Sequence, residues 1–287
     1  MLVSIILVIK NEAIHIQKCI ESLLKQSYKD FEIIILDDQS TDKTLDIINS
    51  FKSTKIKIFS TKRTHLKGHA NRRNYALSKA KGEFLFFTDG DCVTHYNWIR
   101  EGLEVFQKKN CLGVEGKTIY EAKKGITVAD YVTQRLSPGG FMTCNVAYRK
   151  SAILNAGKFD PKFKETYEDR DLGIKISKIG KIIFEENMLV FHQQKKVNIA
   201  TLFKRAKRAG DMVYFDLKHG RKASEYISGR IIYPEHLVII FIPPLIFLSS
   251  RITSFSDICI AICKYLSFIY ERILIWRNAI RYRIFLI

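Results

Sequence analysis

Uninterrupted apolar runs alternate with stretches of helical spacing along the first third of the chain. Val3 to Ile9 is apolar throughout and reads as a first, doubly buried strand rather than a leader, since no basic residues precede it and no small-residue cleavage site follows. Ile14 to Gln26 places Ile16, Cys19, Ile20, Leu23 and Leu24 on one helical face. Phe31 to Leu36 predicts a second strand, Thr44 to Ser50 a helix and Ile56 to Phe59 a short strand. His69 to Ala80 predicts a helix and Phe84 to Phe87 a strand. Continuous apolar strands separated by helices predict an α/β chain whose mostly parallel sheet is sandwiched by helices.

Acidic and polar residues recur where these strands stop: Asn11-Glu12, Asp37-Asp38 and Asp89-Gly90-Asp91. Parallel strands bring those ends to one edge, where ligands of open α/β sheets bind. Two carboxylates around a glycine suit a hard divalent cation shared with substrate phosphates. The plain alternative is a turn, because Asp and Gly are common turn formers. No Gly-x-Gly-x-x-Gly follows the first strand, which argues against an ordinary dinucleotide-binding domain.

Further along, Tyr96 to Gln107 predicts a helix and Gly113 to Tyr120 a strand. Gly139 to Arg149 reads as a glycine turn followed by a strand, and Lys150 to Ala156 as a short helix. Tyr167 to Asp171 opens another helix that Gly180 stops. Lys181 to Phe191 is strand-like and ends at His192. Acids in a first helical turn also serve as caps, which is the structural alternative for Glu168, Asp169 and Asp171.

The charge balance of 47 basic against 29 acidic residues, a net +18, implies an anionic partner. Between Lys195 and Ile287 stand 16 Lys/Arg and 6 Asp/Glu, so +10 of that excess lies in the last third. The six cysteines form no Cys-x-x-Cys pair, so neither zinc nor a disulfide framework is expected, and they read as free thiols of a reducing compartment.

In this order the motifs resemble those of family 2 glycosyltransferases. Asp37-Asp38-Gln39-Ser40-Thr41-Asp42-Lys43-Thr44 is similar to the family's DDxSxDxT segment, and Asp89-Gly90-Asp91 to its metal-binding Asp-x-Asp. Gly140 to Arg149 with Gly157-Lys158-Phe159-Asp160 resembles the acceptor-side stretch, and Glu168-Asp169-x-Asp171-Leu172 the ED-x-DL segment. The resemblance covers roughly residues 1 to 210. It implies a GT-A fold, a nucleotide-diphosphate sugar donor, Mg²⁺ or Mn²⁺, and usually an inverting transfer. Val8 and Lys10 stand where relatives commonly carry Pro and Tyr. The Gln-x-x-Arg-Trp of processive synthases is absent, with Phe203 to Gly210 in that neighbourhood, which favours single additions.

The resemblance also implies roles. Asp91 would be the nearer metal ligand, with Asp89 assisting or meeting the ribose. Asp37 and Asp38 would take the nucleoside, and Asn11 and Glu12 would line the donor pocket. Arg73 would contact base or phosphate, while Arg72 points to solvent; His65 and Lys67 would add positive charge. Asp169 would be the general base, with Glu168 beside it as base or acceptor holder. His192 would ligate metal or diphosphate; its structural alternative is an ordinary core histidine.

The expected organisation is a catalytic domain over 1–210 and a basic, hydrophobic helical region over 211–287. Leu237 to Leu248 is too short to span a bilayer and is broken by Pro243-Pro244; Ile258 to Trp276 reads as an amphipathic helix. With Arg251, Arg277, Arg281 and Arg283 alongside, this predicts attachment to the cytoplasmic face of a membrane, with a packed helical appendage and two spanning helices as the alternatives. The acceptor would be a lipid-linked or cell-envelope glycan, with no nucleic acid bound. A nucleotidyltransferase and a non-enzymatic basic membrane- or nucleic-acid-binding protein stay open as alternatives.

Overall fold

The computed structural model describes residues 1–60, 66–121, 130–131, 133–196, 199–220 and 255–281. By its internal packing the chain divides into two units. The first comprises 1–121, 133–164 and 168–193; the second comprises 122–132, 165–167 and 194–287.

The first unit holds β1 (Val3–Ile9), α1 (Ile16–Leu24), β2 (Phe31–Asp37), α2 (Thr44–Ser50), β3 (Ile56–Ser60), α3 (His69–Lys79) and β4 (Phe84–Phe87). Next come β5 (Cys92–Thr94), α4 (Trp98–Lys108) and β6 (Gly113–Glu121). Beyond β7 (Asp130–Tyr131), which belongs to the second unit, it continues with β8 (Val146–Arg149), α5 (Lys150–Asn155), α6 (Glu168–Ser177) and β9 (Ile182–Gln193). One sheet runs in the order β3-β2-β1-β4-β8-β6-β9-β5. The first four strands are parallel; β8 and β5 are antiparallel to their neighbours, and β9 is parallel to β6. The sheet is thus parallel on one side and mixed on the other.

The uninterrupted apolar strands serve two cores at once. Successive side chains of a strand point to opposite faces. Ile5, Leu7, Ile33, Ile35, Phe84 and Phe86 therefore face α1, α2 and α4. Ile6, Ile34, Leu36, Leu85 and Phe87 face α3, α5 and α6. Each fully buried Ile, Leu or Phe contributes roughly 1.5–3 kcal/mol of hydrophobic stabilisation, so both faces of the parallel half are strongly specified.

Three local readings differ from the structure. The glycine turn that precedes a strand is present but longer, running over residues 139–145 before β8, with a buried carboxylate on β6 collecting the N–H groups of Gly139, Gly140 and Phe141. His192 lies inside β9 rather than after it, paired with Cys92 of β5, a three-residue strand too short to show any periodicity. Arg72 does not point to solvent; it turns onto Asp38.

The second unit contains the antiparallel pair of β7 and β10 (Lys195–Lys196), then α7 (Ile199–Ala206), α8 (Ala209–Lys218) and α9 (Phe255–Arg281). Val213 of α8 and Ile275 of α9 are buried together with Met212 and Leu274 packed around them. Asp211 accepts the Thr166 N–H at 2.9 Å, and Tyr167 stacks on Phe215 at 4.9 Å. Among the described residues no helix is long and apolar enough to cross a membrane. The segment Leu237 to Leu248, Arg251, Arg283 and His65 lie outside the described residues.

Candidate active site

Topology alone carries the predicted residues to one edge. The carboxyl ends of β1, β2 and β4 deliver Lys10 to Glu12, Asp37-Asp38 and Asp89 to Asp91 there. β9 runs in the same direction, because it is parallel to β6 and β6 is related to β4 through two antiparallel pairings, so His192 arrives at the same edge. Helices α3 and α6 lead back toward the amino edge, which leaves their N-terminal turns, with Arg72-Arg73 and Glu168-Asp169, at the carboxyl edge.

The β1 and β2 loops are laced together. Asn11 N–H donates to Ser40 Oγ at 2.9 Å, Thr41 N–H to Asn11 Oδ1 at 2.7 Å, Glu12 N–H to Thr44 Oγ1 at 2.8 Å and Ala13 N–H to Asp42 Oδ2 at 3.1 Å. Asn11 sits at φ 53° and Gln39 at φ 56°, in the left-handed region that Asn tolerates better than most residues. Ser, Thr and Asp in the DDxSxDxT segment therefore tie the two loops, and Asp42, with its partners outweighing desolvation, is held below the usual carboxylate range. Asp37 is buried and accepts Ser40 N–H at 3.2 and 3.1 Å through its two oxygens.

Asp38 lies between two cations. Lys10 Nζ is 3.5 Å from Oδ2, and Arg72 Nε is 3.1 Å from Oδ1, an ion pair by distance in which the N–H is not aimed at the oxygen. Next to Arg72, Arg73 is buried and forms an ion pair with buried Glu168. Burial works against the Arg73 charge, but Glu168, Asp89 and Asp169 outweigh it and push its pKa up. Glu168 of α6 thus pairs with this guanidinium, and the charges of Asp169 and of Asp89, in the turn after β4, favour it further.

Asp169 itself stays partly open to solvent. Its Oδ1 accepts Arg170 N–H at 2.8 Å and its Oδ2 accepts Thr143 N–H at 3.4 Å. Desolvation, then the neighbouring Glu168 charge, raise its pKa to about 6 against the pull of Arg73 and the two N–H groups. A carboxylate titrating there is suited to taking a proton near neutrality.

On the other flank, Asp91, Cys92 and His192 are buried, with potential ligand atoms all within 4.8 Å of one another. His192 Nε2 lies 3.5 Å from Asp91 Oδ2. A carboxylate oxygen and an imidazole nitrogen fit Mn²⁺ or a similar divalent ion; burial pushes the Cys92 thiol pKa well up, so it fits such an ion poorly. Gly90 is closely approached: a Cβ there would stand 3.1 Å from both Glu12 Cγ and Ile9 Cγ2. Cys19 donates its thiol to the Asp89 carbonyl at 3.4 Å, and its pKa is pushed well up by burial and then by Asp91, Asp89 and Glu12.

Sequence reasoning missed several residues of this region. Lys10 and Arg72 hold Asp38. Buried Glu115 of β6 holds the glycine loop. Asn145 accepts Trp98 Nε1–H at 2.8 Å and donates to Lys117 and Met188 carbonyls at 2.8 and 2.9 Å, joining α4, β6 and β9. β6 also carries Lys117, Thr118 and Glu121, so no polar residue in an apolar run singled Glu115 out.

The profile of glycosyl transferase family 2 matches residues 4–153. The chain belongs to glycosyltransferase family 2, and its fold is of the GT-A type. Over 90 residues it is 48% identical to the Escherichia coli UDP-Glc:alpha-D-GlcNAc-diphosphoundecaprenol beta-1,3-glucosyltransferase WfaP, covering 31% of this chain and 35% of that one. Over 104 residues it is 38% identical to the E. coli enzyme of the same description, WfgD, covering 36% and 39%. The alignments thus span little more than a third of those relatives. The crystal structure of S. aureus TarS 1-349 in complex with UDP-GlcNAc superposes with TM-score 0.57 at 20% identity, over 73% of this chain and 66% of that one, a likeness of fold.

Proposed function

We propose that this chain moves a sugar from a nucleoside-diphosphate sugar, with uridine as the nucleoside, to a hydroxyl of a lipid-diphosphate-linked glycan, with inversion at the anomeric carbon. The observation that carries this reading is the ion pair of Glu168 with buried Arg73 at the carboxyl edge of the sheet, with the charges of Asp89 and Asp169 favouring the guanidinium further. Asp169 accepts the acceptor hydroxyl proton as the new C–O bond forms. The bond from the anomeric carbon to the diphosphate breaks in the same step, and the nucleoside diphosphate leaves with the electron pair. Asp37 and Asp38 receive the nucleoside, with Lys10 and Arg72 orienting Asp38. Asn11 and Glu12 shape the pocket wall. Arg73, held by Glu168, contributes positive potential near the diphosphate.

Asp91 and His192, with Asp89 alongside, would hold a divalent cation, which when bound supplies Lewis-acid stabilisation of the leaving diphosphate. Both E. coli relatives are named for UDP-Glc and a diphosphoundecaprenol acceptor, and the TarS structure holds UDP-GlcNAc, which supports a uridine donor and a lipid-linked acceptor here.

A membrane surface is the matching partner, at its cytoplasmic face. The large apolar residues exposed on α9 are Ile258, Ile262, Leu266, Ile273, Trp276 and Ile280. Their steps of four, four, seven, three and four put them on one helical side, with exposed Arg277 and Arg281 flanking it.

The test is a screen of UDP-, GDP- and dTDP-sugars with a diphosphate-lipid acceptor, in Mg²⁺, Mn²⁺ or chelator, on wild type and Asp91→Ala. Metal-dependent glycosyl transfer from a UDP-sugar, lost in the variant, is expected. Full activity of folded Asp91→Ala refutes the metal assignment, and nucleotide transfer with pyrophosphate release refutes the reaction class.

A further inference from the structure

We infer that Glu115 is a positioning residue for the proposed base: it fixes the Gly139–Thr143 loop, and that loop holds Asp169. This deepens the reading above and rests on it. Glu115 lies in mid-β6, only 2% exposed. Its Oε2 accepts Gly139 N–H at 2.7 Å, and its Oε1 accepts Gly140 and Phe141 N–H at 2.8 Å each. Three consecutive N–H groups converging on one carboxylate require an unusual backbone, and the loop has it. Gly139 sits at φ 94° and Phe141, a bulky residue, at φ 53°. A non-glycine residue in that region carries a steric cost, which persists only when surroundings over-determine it. Charge-assisted bonds to a buried carboxylate are the strong kind that can do so. Arg135, with Nε 3.6 Å from Glu115 Oε1 and Nη2 donating to Pro138 O at 2.6 Å, closes the loop base.

The same loop is pinned from the far side by α6. A Cβ on Gly173 would stand 2.1 Å from the Phe141 ring, so that ring occupies the space a side chain would fill. Seated between Glu115 and Gly173, the loop presents Thr143 N–H to Asp169 Oδ2 at 3.4 Å, opposite the Arg170 N–H on Oδ1. Glu115 thereby sets both the direction and the basicity of a carboxylate it does not touch. The charged and titratable groups facing Asp169 are Glu168 and Arg170 on its own helix, Arg73 from α3 and Tyr148 from β8. Of these, Tyr148, whose pKa burial pushes well up, also feels the Glu115 charge, which pushes it the same way.

Glu115→Gln keeps the size but sets an amide N–H₂ against one of three backbone N–H donors. With the loop released, Asp169 loses an N–H that favours its ionised form, so its pKa rises. The experiment is a pH–rate profile with acceptor for wild type, Glu115→Gln, Gly173→Ala and Asp169→Asn, each normalised to the fraction that binds UDP. The expected result for Glu115→Gln is a ~10- to 100-fold lower kcat, the scale of a misplaced catalytic group, with donor KM unchanged and the acid limb moved to higher pH. Gly173→Ala displaces Phe141 from the opposite side and is expected to move the limb the same way. A wild-type kcat and limb in Glu115→Gln overturns the inference. So does a loss of kcat in both variants with the limb unmoved, which marks a purely structural role. An active Asp169→Asn instead refutes the base itself; an inactive one beside a normal Glu115→Gln refutes only the positioning role.

Discussion

Replacing Asp169 by Asn should inactivate the protein and stabilise it at the same time. Its folded-state pKa of about 6 stands above the ordinary aspartate value of about 3.9. A raised pKa means that the folded state holds the proton more tightly than the unfolded chain. The stability this provides is complete below about pH 4 and is lost as pH rises through about 6. At neutral pH the ionised carboxylate is therefore a net burden on the fold. About two pH units correspond to ~3 kcal/mol, and partial solvent access lowers this to roughly 1–3 kcal/mol. Asn keeps one oxygen for Arg170 N–H and removes the charge beside Glu168. Urea unfolding of Asp169→Asn should show that gain near pH 7 and little or none near pH 4. Turnover should fall by ~100- to 10,000-fold, the usual contribution of a general base. Wild-type kcat should rise about tenfold from pH 5 to pH 7, as the ionised fraction of a group near 6 grows from about a tenth to nine-tenths. A variant that is less stable at pH 7 and turns over normally would refute the assignment of burial and of role together.

Glu32, buried at the amino edge, should give the opposite pH dependence. Burial raises its pKa, but Lys57, Ser4 and Lys81 outweigh that and hold it below the usual range, so its stabilisation exists above its unfolded pKa and fades as pH falls through the lowered value. Glu32→Gln should cost ~1–3 kcal/mol near pH 7, shrinking toward pH 3 in thermal melts; an equal cost at both pH values counts against the ion pair. Gly90→Ala should push Glu12 and Ile9 by a few tenths of an ångström and lower activity more than stability, measured as kcat against Tm. A fully active variant would show that the turn has room. Glu at both Ile262 and Trp276 should cut co-sedimentation with anionic vesicles at least ~10-fold, since each apolar side chain removed from the interface forfeits ~1.5–3 kcal/mol. Unchanged binding would remove α9 as the membrane face.

The parallel half of the sheet was legible because doubly buried strands must be apolar throughout, and their polar stops mark the carboxyl edge. Asp37-Asp38 and Asp89-Gly90-Asp91 stood out for that reason, and Glu168-Asp169 as acids opening a helix in the order the family resemblance implies. In the mixed half β6, β8 and β9 were legible as strands, while β5 and the extent of the glycine turn were not. β5 is three residues long, and the turn from Gly139 to Asn145 gives N–H groups to a carboxylate from another strand. The direction of Arg72 could not be read either, since α3 carries two adjacent arginines, and a one-residue step turns each by about 100° around the helix.

The sequence by itself determined which residue types are available for the chemistry and, through periodicity, on which edge of a sheet most of them emerge. Tertiary structure alone decided which of them hold one another. Arg73 is committed to Glu168, Asp38 to Lys10 and Arg72, and His192 to the vicinity of Asp91. The reason is physical: periodicity encodes the burial of a side chain against its own element's neighbours. Ion pairing and pKa depend instead on distances between segments up to about a hundred residues apart, and those distances exist only once the sheet has closed.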